Sequence, residues 1–195
     1  QVPASTGTYR QFILAYFVLD LARMSKISQK IAKRHTGDIW RVLDDVSLPD
    51  FYVKEGEHHM TQNTPSVDYS LERVDMSADP KVKQWIETIM PDLRYPLVLW
   101  LIQRPDTEVV DHWDTDSSWL NDAVPDDHNP DTKDIVRRTI FVTDWVEGQE
   151  WRFEDKVYTG WHKGSCIEWP WWIMHGTHNK SKEARINIRV TGERI

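Results

Sequence analysis

A strict alternation of polar and apolar side chains in residues 184–190 is the feature that most constrains the fold of this 195-residue chain. A two-residue period is that of a β-strand with one buried face, and it places Arg185, Asn187 and Arg189 on the same side. An arginine on a buried face is costly unless it is paired, and its fork of donors fits a carboxylate through two hydrogen bonds. The segment therefore predicts a sheet whose protected face binds a carboxylate.

Other segments predict further strands. Residues 95–102 are almost continuously apolar, as in a buried strand. The later strand-like segments are short and are separated by Gly148, Gly160 and Gly164. Such spacing is typical of an antiparallel barrel or jelly roll.

One helix is predicted to begin at residues 79–80 and to run to about Met90. Aspartate at the N-cap followed by proline in the first turn is a strong start signal. The apolar side chains of this segment share one helical face: Val82, Trp85, Ile86 and Ile89. We expect this face to pack against the outside of the sheet, so that the fold is mainly β with supporting helices.

Three residues form a candidate metal site. In a β-strand, His112 and Asp114 would lie on one face, with Trp113 between them turned away towards packing. His175 follows the apolar, strand-like residues 171–174 and would supply a third ligand. Two imidazoles and one carboxylate on one face of a metal leave the opposite positions open, as in non-haem Fe(II) oxygenases.

His178 is the alternative to His175 as the third ligand. The two histidines are three positions apart, so a regular strand would turn them to opposite faces. We favour His175 because the apolar residues before it would bury it. His178 would then be a turn residue beside Asn179.

The order and spacing of these residues resemble the catalytic core of the Fe(II)/2-oxoglutarate-dependent dioxygenases, in their prolyl-hydroxylase-like branch. Like that family, the chain has His-x-Asp at residues 112–114, a later histidine at 175, and a basic residue ten positions further on, at 185. The similarity extends over residues 109–192. It implies a double-stranded β-helix, which is a jelly roll or cupin-like barrel, with the site inside one mouth.

The resemblance also implies roles for individual residues. His112, Asp114 and His175 would bind Fe(II). Arg185 would hold the distal carboxylate of the cosubstrate 2-oxoglutarate, and O2 would take the remaining position on the metal. The candidates for binding the other carboxylate of 2-oxoglutarate or for orienting oxygen are Asn187, Arg189, Arg138 and Thr139. Arg138 is equally compatible with the surface, since an error of one residue in register reverses the face of a strand.

The implied reaction is hydroxylation of a C–H bond, with release of succinate and CO2. The carboxylate of Asp114 favours hydroxylation over halogenation, because the halogenating relatives have a small residue there. The prolyl-hydroxylase-like pattern favours a peptide residue or an amino acid as substrate, while nucleobase oxidation stays open. The alternatives are a non-oxidative cupin-like metal-binding protein, either a ligand-binding module or a metal-dependent isomerase or hydrolase, and a structural jelly-roll domain with incidental histidines.

The length and composition limit the number of domains, the kinds of partner and the cellular location that we expect for the chain. A length of 195 residues with 39% hydrophobic content suits a single domain, with residues 1–94 as a helical and mixed support region and residues 95–192 as the catalytic core. The net charge of −7 argues against general nucleic-acid binding. Cys166 is the single cysteine and cannot form an internal disulfide, which favours a reducing, cytoplasmic location. The sequence does not predict the oligomeric state.

Residues 115–135 form a long polar segment rich in aspartate. Because the segment leaves directly from Asp114, we expect a lid that becomes ordered when substrate binds. Its acidity favours a cationic substrate. The alternative is a solvated surface loop.

The N-terminal part of the chain carries simpler expectations. Residues 12–19 and 27–33 are expected to be helical, and the first apolar stretch is too short to span a bilayer, so no membrane association is expected. Residues 55–68 are polar and are expected to form a loop in which His58 and His59 are exposed.

Overall fold

The computed structural model describes residues 40–49, 71–114, 117–154 and 156–195. Three predictions fall outside these ranges, namely those for residues 12–19, 27–33 and 55–68. The first two residues of the predicted lid, 115 and 116, also lie outside them.

Ten strands and two α-helices make up the described part of the chain. In chain order they are β1 (Arg41–Leu43), β2 (Leu71–Asp75), α1 (Pro80–Ile89), β3 (Leu93–Gln103), β4 (Thr107–His112), α2 (Ser117–Asp122), β5 (Ile135–Phe141), β6 (Gln149–Phe153), β7 (Lys156–Tyr158), β8 (Cys166–Pro170), β9 (His175–Asn179) and β10 (Arg185–Arg194).

The strands form two antiparallel sheets. The larger sheet has the order β1-β8-β5-β10-β3-β2, and the smaller has the order β4-β9-β6-β7. From β3 to β10 the chain passes back and forth between the two sheets, except at the β6–β7 hairpin. This connectivity is the double-stranded β-helix, so the predicted jelly-roll, cupin-like fold is confirmed.

Helix α1 covers the outer face of the larger sheet. Its N-cap is Asp79, whose carboxylate accepts hydrogen bonds from the backbone N–H groups of Lys81 and Val82. Val82 and Ile86 are fully buried and belong to one apolar cluster with side chains of β5 and β10. Burial of each such side chain contributes about 1.5–3 kcal/mol to stability. The predicted helix and its predicted packing face are both confirmed.

The space between the sheets is filled largely by aromatic side chains. The inner cluster consists of Phe141, Trp151, Phe153, Trp161, Ile167, Trp169 and Ile173. Large aromatic side chains bury much area with few polar atoms, which explains why this small barrel is so rich in tryptophan.

Trp113 is an exception, because 64% of its surface is exposed. The prediction that it packs against the sheet was wrong. Strand β4 ends at His112, so Trp113 lies beyond the ladder in which strand alternation was expected to set its direction.

The apolar residues before His175 form a turn and not a strand. The backbone N–H of Ile173 donates to the carbonyl of Pro170 at 3.3 Å, and strand β9 begins only at His175. The strand predicted over residues 171–174 was therefore wrong, because a tight turn between β8 and β9 is what brings His175 back into the barrel.

The acidic segment after Asp114 is folded and is not a solvated loop over its described residues. It contains α2 and a short 3-10 helix, Thr132–Asp134. Trp119 is fully buried, and its Nε1 donates a hydrogen bond of 2.7 Å to the carbonyl of Tyr95 on β3. His128 Nε2 lies 2.6 Å from the Glu193 carboxylate on β10. These contacts anchor the segment to the larger sheet, and its role as a lid stays a prediction.

No helix within the described ranges is long and apolar enough to cross a membrane.

Candidate metal centre

His112 and His175 lie side by side on two neighbouring strands. They are directly paired in the register of β4 and β9, and their ring centroids are 4.6 Å apart. The β4–β9 pairing is irregular between Val109 and His112. Such an irregularity changes the direction in which the following side chains point, here that of His112, the last residue of β4.

A backbone carbonyl holds each of the two imidazole rings. His112 Nδ1 lies 2.8 Å from the carbonyl oxygen of Val110, and His175 Nδ1 lies 3.0 Å from that of Ile173. A carbonyl only accepts, so this network assigns the proton of each ring to Nδ1. In the neutral form, both Nε2 atoms then carry a lone pair that is available to a metal.

Both Nε2 atoms point at the carboxylate of Asp114. His112 Nε2 is 3.5 Å from Asp114 Oδ1, and His175 Nε2 is 3.2 Å from Asp114 Oδ2. Lone pairs aimed at an anionic oxygen repel it unless a cation lies between them. A proton is one such cation, and the hydrogen bond to Asp114 raises the pKa of His112 despite partial burial. A metal ion is the other.

The spacing of the three side chains fits a metal ion. One ligand atom from each of His112, Asp114 and His175 lies within 4.8 Å of the others. Donors at about 2.0–2.2 Å from one ion lie about 3 Å or more from each other. The separations of 3.2 and 3.5 Å between Nε2 atoms and carboxylate oxygens satisfy this condition.

Arg137 contacts the same carboxylate from the larger sheet. Its Nη1 lies 2.6 Å from Asp114 Oδ2, and its side chain is buried. Burial raises the pKa of Asp114, but the Arg137 charge, the hydrogen bonds with His112 and His175, and the Arg189 charge together hold that pKa well below its usual value. Asp114 is therefore a carboxylate at neutral pH.

Arg185 is the most deeply buried charged side chain in the barrel. It is 1% exposed, its guanidinium lies 4.8 Å above the Trp151 ring, and Nη1 donates to the carbonyl of Glu150 at 3.3 Å. Its Nε finds no hydrogen-bond partner, and within the described ranges no carboxylate pairs with it. Burial without an anionic partner lowers the pKa of Arg185 to about 9.

The contact of Arg185 with Trp151 places it about two strand residues along β9 from the candidate metal ligand His175. On β9, His175 pairs with Phe153, and Thr177 pairs with Trp151, over whose ring the Arg185 guanidinium lies. Two strand residues span about 6.6 Å. This backbone spacing along β9 is comparable to the length of a five-carbon dicarboxylate.

Three further predicted site residues face the interior. Asn187 and Thr139 are fully buried, and the Asn187 amide atoms and the Thr139 hydroxyl have no hydrogen-bond partner. Arg189 pairs with Thr139 across β10 and β5, and it lowers the pKa of Asp114 through its charge. The predicted shared face of Arg185, Asn187 and Arg189 is thus confirmed, while their roles stay predictions.

Arg138 is the site residue that the prediction placed wrongly. Its Nε lies 2.8 Å from Glu168, it also pairs with Asp92, and it shares the outer face of β5 with Val136 and Ile140. Arg137, one residue earlier, faces the metal group instead. The error arose because β5 is buried on both faces and gives no alternation from which to read its register.

His178 does not belong to the metal-binding group. It is only partly buried, and its neighbours across the smaller sheet are Glu108 and Glu150. The odd separation from His175 places it on the opposite face of β9. The expectation of a turn residue at His178 was wrong, because β9 continues to Asn179.

No protein-family model matches the sequence, and no curated protein matches it. Among solved structures, the chain is similar to a prolyl-4-hydroxylase from Pseudomonas putida, with 11% identity, 64% of this chain and 70% of that chain covered, and a TM-score of 0.44. It is also similar to the plu4264 protein from Photorhabdus luminescens, with 15% identity, 65% and 78% covered, and a TM-score of 0.41. A third similar structure is KdgF from Halomonas sp., with 11% identity, 67% and 86% covered, and a TM-score of 0.40. At these values the similarities carry no activity over to this chain.

Proposed function

We propose that the protein is an Fe(II)- and 2-oxoglutarate-dependent oxygenase that hydroxylates its substrate and releases succinate and CO2. The observation that carries this proposal is the buried Arg185 guanidinium, which has no anionic partner within the described ranges and belongs to the same barrel as a group of two imidazoles and one carboxylate. An uncompensated buried charge is costly, and an anionic ligand removes that cost.

The chain supplies three metal ligands in this proposal. His112 and His175 would bind Fe(II) through Nε2, and Asp114 would bind it through a carboxylate oxygen. Ferrous iron with bound 2-oxoglutarate supplies the oxidising chemistry by activating O2. Three protein ligands leave three of the six positions of an octahedral metal open.

The interior residues would bind and orient the cosubstrate. The fork of Arg185 donates two hydrogen bonds to a carboxylate, and the neighbouring Asn187 and Thr139 offer buried donors that have no partner in the protein. Trp169, whose ring centroid lies 5.6 Å from that of His175, and Phe153 help to exclude water from the reacting centre.

The substrate in this proposal is a peptide residue, an amino acid or another small molecule. The carboxylate of Asp114 occupies the position that a halide would need, which favours hydroxylation. The acidic segment after Asp114 would cover the substrate, with Trp119 as its anchor on the larger sheet.

Anaerobic titration of the Fe(II)-loaded protein with 2-oxoglutarate tests this proposal. We expect a weak visible charge-transfer band in the wild type, no band with His175→Ala, and a band that needs more 2-oxoglutarate with Arg185→Ala. Arg185→Lys keeps the charge but loses the forked pair of donors, so the 2-oxoglutarate concentration that it needs should lie between those of the wild type and Arg185→Ala.

Absence of the band in folded, iron-replete protein would overturn the oxygenase proposal. A metal-dependent isomerase or hydrolase of cupin type, using the same three ligands to activate water, would then be the better explanation. Such an enzyme would bind metal normally but would show no dependence on 2-oxoglutarate or oxygen.

A further inference from the structure

Arg137 is a buried residue beside the metal-binding group to which the proposed reaction gives no role. It lies on β5, where it pairs with Trp169 on one side and with Thr191 on the other, and its side chain is 4% exposed. A buried guanidinium in contact with a metal-ligand carboxylate sets how many oxygens that carboxylate can offer.

The contact is directed at one oxygen of Asp114. Arg137 Nη1 lies 2.6 Å from Oδ2, which His175 Nε2 also faces at 3.2 Å, whereas Oδ1 faces only His112 Nε2 among these side chains, at 3.5 Å. A short ion pair in the low-dielectric interior of the barrel holds the carboxylate oxygen that it contacts. Groups in the second shell of a metal orient its ligands in this way.

We propose that Arg137 is a positioning residue that makes Asp114 a one-oxygen ligand and so keeps a coordination position open. This inference rests on the metal centre of the proposed function. By occupying Oδ2, Arg137 leaves Oδ1 to the metal.

The count of coordination positions shows why this matters. Two imidazoles and one carboxylate oxygen leave three of six positions, which is enough for a chelating 2-oxoglutarate and for O2. If both oxygens of Asp114 bound the metal, only two positions would remain, and 2-oxoglutarate would fill them. The single-oxygen geometry is therefore required for O2 to reach the metal.

Mn(II) relaxation of water protons measures this count directly, because the effect scales with the number of exchangeable waters on the bound ion. Wild-type protein saturated with Mn(II) should carry about three metal-bound waters. Arg137→Met should carry about two, so the relaxivity per bound Mn(II) should fall by about a third. Arg137→Lys keeps a donor for Oδ2 and should restore the wild-type value.

Arg138→Met is the matched control. It removes a buried arginine from the next position of the same strand, but one that faces away from the metal group. We expect lower stability and wild-type relaxivity per bound Mn(II). If Arg137→Met does not fold, Arg137→Gln provides the same test, since its shorter side chain does not reach Oδ2.

Two outcomes overturn the proposal in distinguishable ways. If wild-type protein binds Mn(II) but Arg137→Met, or Arg137→Gln in its place, keeps the wild-type relaxivity, the positioning role fails while the metal centre stands. If folded wild-type protein binds no Mn(II), the metal centre of the proposed function fails, and this inference falls with it.

Discussion

Each of the three candidate metal ligands is oriented by a contact that does not involve a metal. Carbonyl oxygens of Val110 and Ile173 hold the two histidine rings, and Arg137 holds Asp114. These contacts use the atoms that would not bind a metal, so they leave the ligand atoms facing each other. The site is thus organised by the protein chain alone, which lowers the cost of ordering it when a metal binds.

His175 and His178 offer a matched pair of substitutions that tests the ligand assignment. Metal at about 100 times its Kd should stabilise the wild type by about 2.7 kcal/mol, because only the folded state presents the assembled site. His175→Ala should abolish this stabilisation. His178→Ala removes a histidine from the opposite face of the same strand and should keep it.

Thermal unfolding with and without Co(II) measures both variants. A gain of about 2.7 kcal/mol corresponds to a rise of roughly 5–10 °C in Tm for a chain of this size. Loss of the Co(II) effect in His178→Ala, with retention in His175→Ala, would reverse the assignment.

Single residues of the site differ in how far the sequence predicts them. His175 was preferred to His178 because apolar neighbours indicated burial, and the structure buries it. Arg137 was missed and Arg138 was chosen in its place, because all seven residues of β5 are buried and no period reveals which face each one takes. Only the pairing of β5 with β10 and β8 fixes that register.

The pairing of β4 with β9 is the element-scale feature that assembles the metal group. β4 carries His112 and leads to Asp114, and β9 carries His175. Gly176 lies where the backbone of β4 leaves no room for a side chain on β9. A Cβ atom there would be 2.8 Å from the carbonyl oxygen of Val109 and would also collide with Asp111.

Gly176→Ala should therefore push β4 away from β9 and separate His112 from His175. We expect a loss of stability of about 1–3 kcal/mol from overpacking and a fall in metal affinity of about tenfold or more. Isothermal titration with Co(II) measures the affinity, and urea unfolding measures the stability.

Gly160→Ala serves as the control for this prediction. Gly160 has φ of +72°, but a Cβ there would meet nothing within 4 Å. Its substitution should cost stability through backbone strain while leaving the Co(II) affinity unchanged. Equal losses of affinity in both variants would mean that the effect of Gly176→Ala is not local to the β4–β9 contact.

Elements with strong local signals were predicted well. Three such signals depend only on residues that are close in the sequence, so they can be recognised from the sequence alone. They are the N-cap of α1, the apolar residues of β3 and the polar–apolar alternation of β10. The irregularity in β4 and the burial of Trp119 depend on partners that are distant in the chain. No local pattern carries them, which is why the segment after Asp114 was expected to be a loop.

On the scale of the whole molecule, an ion-pair network joins the elements of the larger sheet. Glu168 is 3% exposed and contacts Arg41 of β1, Arg138 of β5 and Arg194 of β10. Burial raises the pKa of Glu168, but these arginines outweigh it and the pKa is lowered.

The pKa of Glu193 is lowered in the same way, because contacts with Arg94 and His128 outweigh the effect of burial. A carboxylate whose pKa is lower in the folded state than in the unfolded state stabilises the fold above the unfolded pKa, near 4.5 for glutamate. That stability is lost as the pH falls through the folded value.

The stability that this network provides should therefore decrease at acidic pH. The Glu168→Gln variant should show how much the Glu168 charge contributes to the free energy of unfolding. Near pH 7 the variant leaves three arginines without their common carboxylate, so the free energy of unfolding should fall by about 3–5 kcal/mol. Below about pH 4.5 Glu168 is protonated in the unfolded wild type, and in the folded wild type it becomes protonated only as the pH falls through its lower folded pKa, so the difference between the two proteins should shrink over that range. Urea unfolding of both proteins from about pH 7 to about pH 3 measures this difference. Glu147 is exposed, so the Glu147→Gln variant is the control, and its free energy of unfolding should stay close to that of the wild type throughout. A difference for Glu168→Gln that stays constant down to the lowest pH would mean that Glu168 contributes through packing and not through its charge.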